Sequence, residues 1–106
     1  MNANVKQYIY VIKPTRPALV TDPGSWTDEE MKIGEAHFSY LKKATEAGIV
    51  LLAGRALDGL GPAVVVFTAG SEEEALLFMQ EDPFIAEGLM RAELHPFRAA
   101  LIGGKA

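Results

Sequence analysis

Hydrophobic and polar positions switch between two periods along this chain, and the switches divide it into a short series of elements. Residues 5–12 (VKQYIYVI) are β-branched and aromatic with no helix breaker, and predict a first strand. One face carries Val5, Gln7, Ile9 and Val11, the other Lys6, Tyr8, Tyr10 and Ile12. Both faces hold large apolar groups, which predicts cover on both sides. Residues 13–26 contain Pro14, Pro17, Pro23 and Gly24 and read as a loop, long for so short a chain. Such a loop is either a lid or partner contact, or a mobile surface segment. Trp26, at its end, is placed to staple onto the next helix.

Thr27-Asp28-Glu29-Glu30 fits a capping box, and the acidic residues suit the positive end of a helix dipole. The helix runs to about residue 47, where Gly48 stops it. Ile33, Ala36, His37, Tyr40, Leu41 and Ala44 share its apolar face, while Lys32, Glu35, Ser39, Lys42, Lys43 and Glu46 fall on the wet side. Gly34 inside the helix costs about 1 kcal/mol against alanine, so something is expected close to the backbone there.

Residues 49–57 (IVLLAGRAL) predict a second strand, residues 58–62 (DGLGP) a hairpin connection, and residues 63–68 (AVVVFT) a third strand. Ser71-Glu72-Glu73-Glu74 is a second capping box, opening a short helix to about Gln80. Asp82-Pro83 starts a further turn over residues 84–87, ended by Gly88. Residues 91–101 predict a fourth strand, which Pro96 assigns to an edge or a bulge. The order βαββαβ predicts an α+β fold, the ferredoxin-like plait, with an antiparallel four-stranded sheet whose second and fourth strands lie at the edges. A sheet covered by helices on one side keeps a wet face on the other. Val64, Val65, Val66 and Phe67 leave neither face polar, which predicts a homodimer closing over the open face.

Composition narrows the class. At 106 residues the chain fits one domain, residues 1–106, with 49% apolar and 23% charged residues. A net charge of -4 argues against a nucleic-acid partner. The absence of cysteine excludes disulfides, thiolate metal sites and cysteine nucleophiles. Residues 1–5 carry no apolar stretch of signal-peptide length, and no run approaches membrane-spanning length. The expectation is a cytoplasmic protein with no membrane partner.

The candidate chemistry is a pair, His37 and Asp82, meeting beside a pocket. An imidazole has an ordinary pKa of about 6.5 and offers a usable proton near neutrality. A carboxylate bonded to one ring nitrogen fixes the tautomer. The bland alternatives are a satisfied core histidine and an ordinary helix N-cap at Asp82. Arg55 is either an anion clamp or solvated, and Tyr8, Tyr10 and Tyr40 line a pocket or pack in the core or a dimer interface. Gly54 either admits a ligand close to the backbone or marks a bulge. His95 is expected exposed. His37, His95 and the scattered carboxylates give no metal spacing, and neither a phosphate loop nor a serine elbow is present.

These residues also resemble the YciI-like (YCII-related) family of small dimeric α+β proteins. The matching pieces are Tyr8 to Ile12, His37-Phe38-Ser39-Tyr40-Leu41, Glu46 through Gly54, Ser71 through Ala75, Asp82-Pro83-Phe84 with Gly88, and Pro96-Phe97. They cover nearly the whole chain in order. The resemblance implies a dimeric α+β barrel with a His–Asp pair as active site, mapping onto His37 and Asp82. Some relatives carry Arg-Pro-Ala-His where this chain has Gly34-Glu35-Ala36-His37, so an anion-binding role tied to that arginine loses its residue. Arg55 stands where proline is common and is the candidate replacement. A few relatives act on ring-derived, chlorinated aromatic intermediates, and the wider superfamily includes lactone isomerases and small monooxygenases. Two classes of function follow. One is a cofactor-free enzyme performing proton transfer, isomerisation or elimination on a small, cyclic substrate, with Tyr8, Tyr40, Gly54 and Arg55 as substrate contacts. The other is a non-catalytic small-molecule-binding or assembly module.

Overall fold

Alternation in the strands and two strong helix caps fix the layout of the computed structural model, which describes residues 5–104. Its elements are β1 (Lys6–Pro14), α1 (Ala18–Thr21), a 3-10 turn (Pro23–Ser25), α2 (Asp28–Glu46), β2 (Val50–Arg55), β3 (Ala63–Ala69), α3 (Glu72–Glu81), α4 (Pro83–Ala86) and β4 (Met90–Phe97). The strands form one antiparallel sheet in the order β2-β3-β1-β4. This is the ferredoxin-like plait, with β4 and its Pro96 on an edge as expected.

Register decides which side chains meet the helices. Tyr8, Tyr10 and Ile12 of β1 pair with Phe67, Val65 and Ala63 of β3. Together they form the covered face, joined from the helices by Leu41, Ala44, Ala75 and Met79. Phe67 anchors the core, its ring 5.7 Å from Tyr10 and 4.7 Å from Phe78. The opposite face carries Ile9, Val11, Val64, Val66 and Leu52. Helices cover only one face of β1, so within a single chain the cover expected on both sides is missing.

α2 begins as expected. Thr27 Oγ1 accepts from Glu30 N at 3.1 Å, and Glu30 Oε1 accepts from Thr27 N at 3.0 Å. Its C-terminus passes into Gly48, whose φ of 81° is left-handed. Ala36 departs from the predicted apolar face and is exposed, because the buried stripe is narrow and held by Ile33, His37, Tyr40, Leu41 and Ala44. α3 departs in its cap. Ser71 accepts from Glu74 N, but Glu74 Oε1 takes its proton from Gly70 N, one residue earlier than a capping box requires.

Residues 13–26 are not a structureless loop. Thr15 Oγ1 donates to Leu89 O, Leu19 is buried in the core, and Arg16 forks onto both Glu30 oxygens at 2.9 Å. Each tie needs a partner distant in sequence, which local propensity does not reveal. β2 stops at Arg55, short of the predicted Leu57, because Ala56 N already bonds Pro62 O to close the hairpin. β4 ends at Phe97, and Leu101 and Ile102 beyond it are exposed.

Candidate active site

A single residue, Asp82, separates α3 from α4. Pro83 stands at the first position of α4 and disfavours a helical backbone in the residue before it. Asp82 accordingly takes φ −59° and ψ 125°, and the chain turns there. Its carboxylate then caps α4, Oδ1 accepting from Phe84 N at 3.0 Å. The turn buries Asp82 completely, and it is the one buried polar or charged residue among the described residues.

Two more donors reach that carboxylate. His37, from the middle of α2, places Nδ1 2.7 Å from Oδ1. Tyr10, from the central strand β1, donates its hydroxyl to Oδ2 at 2.7 Å. With a backbone N–H and a phenol both donating, the arrangement accommodates an ionised carboxylate. The tautomer that completes it carries the imidazole proton on Nδ1 and leaves the lone pair of Nε2 free. The His37 ring is held a second way, stacked on Phe84 with centroids 3.9 Å apart and planes 21° apart. Its side chain stays 17% exposed, enough for one edge to meet solvent or a guest molecule.

The surrounding phenols remain protonated at neutral pH. Burial pushes the Tyr10 hydroxyl far above the ordinary phenol range, and the charge and hydrogen bond of Asp82 add to it. Burial, then the charges of Glu81 and Asp82, push Tyr40 up to about 12. Tyr40 donates its hydroxyl to Phe78 O at 2.7 Å and stacks on the Phe78 ring.

The nearby groove is a different feature from the expected pocket. It is an open depression on the outer flank of α2, lined by Trp26, Met31, Gly34, Glu35, Phe38 and Ser39, and neither His37 nor Asp82 lines it. Trp26 forms the link between groove and pair. A Cβ on Gly34 would lie 3.1 Å from the indole ring, so this is the close approach that the helix glycine signals. The indole packs edge-on to Phe84, the ring that stacks on His37.

The other candidates lie elsewhere. Tyr8 is buried in the core, its ring 6.0 Å from Phe67. Gly54 is exposed on the edge strand, where an added Cβ would meet nothing within 4 Å, and the bulge of β2 falls between Val50 and Leu52 instead. Arg55 is exposed at the end of β2, paired with Ala63, and makes no hydrogen bond or ion pair to His37 or Asp82. His95 is exposed, with Nε2 3.3 Å from Glu93 Oε1. Among the described residues no three His, Asp or Glu side chains gather as metal ligands, and no helix is long and apolar enough to cross a membrane.

The YCII-related domain matches residues 7–98. The chain belongs to the YCII-related family. No curated protein matches it. Among solved structures it is similar to the 5-chloro-2-hydroxyhydroquinone dehydrochlorinase of Burkholderia phenoliruptrix, described in complex with 2,5-dihydroxybenzoquinone. That likeness has a TM-score of 0.64 at 19% identity, covering 87% of this chain and 93% of the other, and it concerns the fold.

In this YCII-related chain the sequence signals both members of the His37–Asp82 contact but not what holds them. It presents Tyr10 only as a pocket or packing residue, and Phe84 only as part of a turn. A signal for Tyr10 does exist. A phenol in the middle of a buried strand face needs a partner for its hydroxyl, and Asp82 is the carboxylate placed at a turn to supply one.

Proposed function

We propose that this protein is a small cofactor-free enzyme that moves a proton on a small, cyclic organic substrate, in an isomerisation or an elimination. His37 is the general base through Nε2, and Asp82 holds the ring, fixes its tautomer and stabilises the imidazolium that forms. In an elimination, Nε2 takes the substrate proton, the C–H electron pair becomes the new double bond, and the leaving group departs with its bonding pair. The observation that supports this reading most is the completeness of the Asp82 shell. Three donors occupy its two oxygens, so Nε2 is left as the free basic atom of the pair. The dehydrochlorinase that shares the fold was described with a dihydroxylated quinone, and rings of that kind are the first substrates to try. Tyr40, one turn from His37 on α2, is the proposed substrate contact.

A second reading is a non-catalytic binding or assembly module, favoured by one observation. The Asp82 bonds already make a complete structural motif, capping α4 and tying it to α2 and β1. Quinol and chloroquinol turnover by purified protein separates the two. His37→Ala should lower it about 10²–10⁴-fold with the fold retained. NMR titration of the His37 ring should also change on Asp82→Asn. A His37→Ala variant that only melts earlier, with ligand affinity unchanged, would establish the structural reading instead.

A further inference from the structure

We propose that Tyr10 is the third member of this site, a positioning residue that sets the basicity of His37 by holding Asp82 Oδ2. The inference rests on reading His37 as the base. Tyr10 lies in the middle of β1, between β3 and β4, with no exposed surface. Its side chain therefore touches no substrate, and it acts only through the carboxylate. A phenylalanine would fill nearly the same space in the core, so packing alone does not account for the hydroxyl.

The two carboxylate oxygens have different duties. Oδ1 serves the backbone of Phe84 and the imidazole, whereas Oδ2 serves Tyr10. A carboxylate pinned at one oxygen can still turn about its χ angles. Pinned at both, it has one orientation, and Oδ1 then meets Nδ1 in one geometry. The base is thereby referenced to the central strand of the sheet and not to the turn alone. The Tyr10 bond also draws charge from the carboxylate, which weakens its pull on the Nδ1 proton.

The ionisable groups around this centre are few. α2 contributes His37 and Tyr40, β1 contributes Tyr10, and α3 contributes Glu81. β3 and α4 contain no ionisable side chain, and β4 turns Arg91, Glu93 and His95 to the opposite face. Removing the Tyr10 hydroxyl leaves Asp82 less stabilised and a stronger partner for the imidazolium, so His37 should become more basic.

The test is NMR titration of the His37 ring nitrogens in the intact protein, comparing wild type, Tyr10→Phe, Asp82→Asn and the double variant. Tyr10→Phe should lower the acid-dissociation constant of His37 about threefold or more. The Asp82→Asn background should abolish that change. An unmoved titration in a folded Tyr10→Phe, or a change that persists without the Asp82 carboxylate, overturns the proposal. If Tyr10→Phe does not fold, 3-fluorotyrosine placed at position 10 decides. Its more acidic hydroxyl should move the His37 titration the opposite way, and no movement overturns the proposal. Failure of the enzymatic reading looks different. In that case the His37 titration still responds to Tyr10, but no ring substrate is turned over.

Discussion

Replacing Asp82 with alanine removes, at one position, the cap of α4 and the acceptor for two side-chain donors, one buried and one half-buried. The lost cap costs about 1 kcal/mol, and each stranded donor about 1–3 kcal/mol. Asp82→Ala should therefore destabilise the fold by about 3 kcal/mol or more in urea denaturation. Asp82→Asn, which keeps an acceptor for the cap, should lose clearly less, and equal losses would mean that the buried bonds contribute little. The tyrosines give a pH prediction whose sign follows from linkage. Tyr10 and Tyr40 hold their protons in the folded state above the ordinary phenol value, while the unfolded chain releases them near pH 10. Their contribution is thus fully present below pH 10 and falls as pH rises from there, that of Tyr40 being lost toward 12 and that of Tyr10 continuing to fall beyond it. Denaturation midpoints should hold level up to about pH 9.5 and fall beyond it, and Tyr10→Phe should fall less steeply. His37 and Asp82 are legible in the sequence because each breaks a local pattern, one an ionisable group on an apolar stripe and the other an acid between a helix and a proline. Tyr10 signals only that its hydroxyl needs a partner, and that partner lies 72 positions away.

Elements are legible where their signals are local. The cap at Thr27, the left-handed glycine ending α2 and the turn at Asp82-Pro83 all stand in the sequence within a few residues. Ala36 and the ordered segment before α2 are not legible: the first depends on how wide a stripe the rest of the fold covers, the second on ties to partners distant in sequence. Gly34 lies between the two cases. The sequence announces a close neighbour, and only the structure identifies it as Trp26. That contact can be probed through the chain's only tryptophan. Gly34→Ala gains about 1 kcal/mol of helix propensity but presses a methyl group against the indole, and the two effects should nearly cancel. Gly34→Leu should expel the ring, shift tryptophan emission to longer wavelength and cost about 1–3 kcal/mol. Unshifted emission in Gly34→Leu would mean that the indole is not held against the helix.

At the scale of the molecule, the open sheet face is the feature that a single chain leaves unexplained. Ile9, Val11, Val64 and Leu52 share it, with Leu52 58% exposed. We propose that it is a homodimer interface of ordinary size, burying about 800 Å² per partner. Light scattering at micromolar concentration should give twice the chain mass, and Val64→Lys should return it to one. A monomeric wild type would remove the interface. Strand order is readable because βαββαβ admits few sheets, and the second apolar face is readable in the unbroken run Val64 to Phe67.

The two borders of the sheet differ from its face in what they permit. At one border, β4 lacks a backbone donor at Pro96, and at the other, the register slip between Val50 and Leu52 puts the outer groups of β2 out of step. A foreign strand laid along either side would find the ladder interrupted. Lateral growth into ribbons and fibrils is thereby resisted, although Leu51 and Leu52 offer an apolar invitation at the rim.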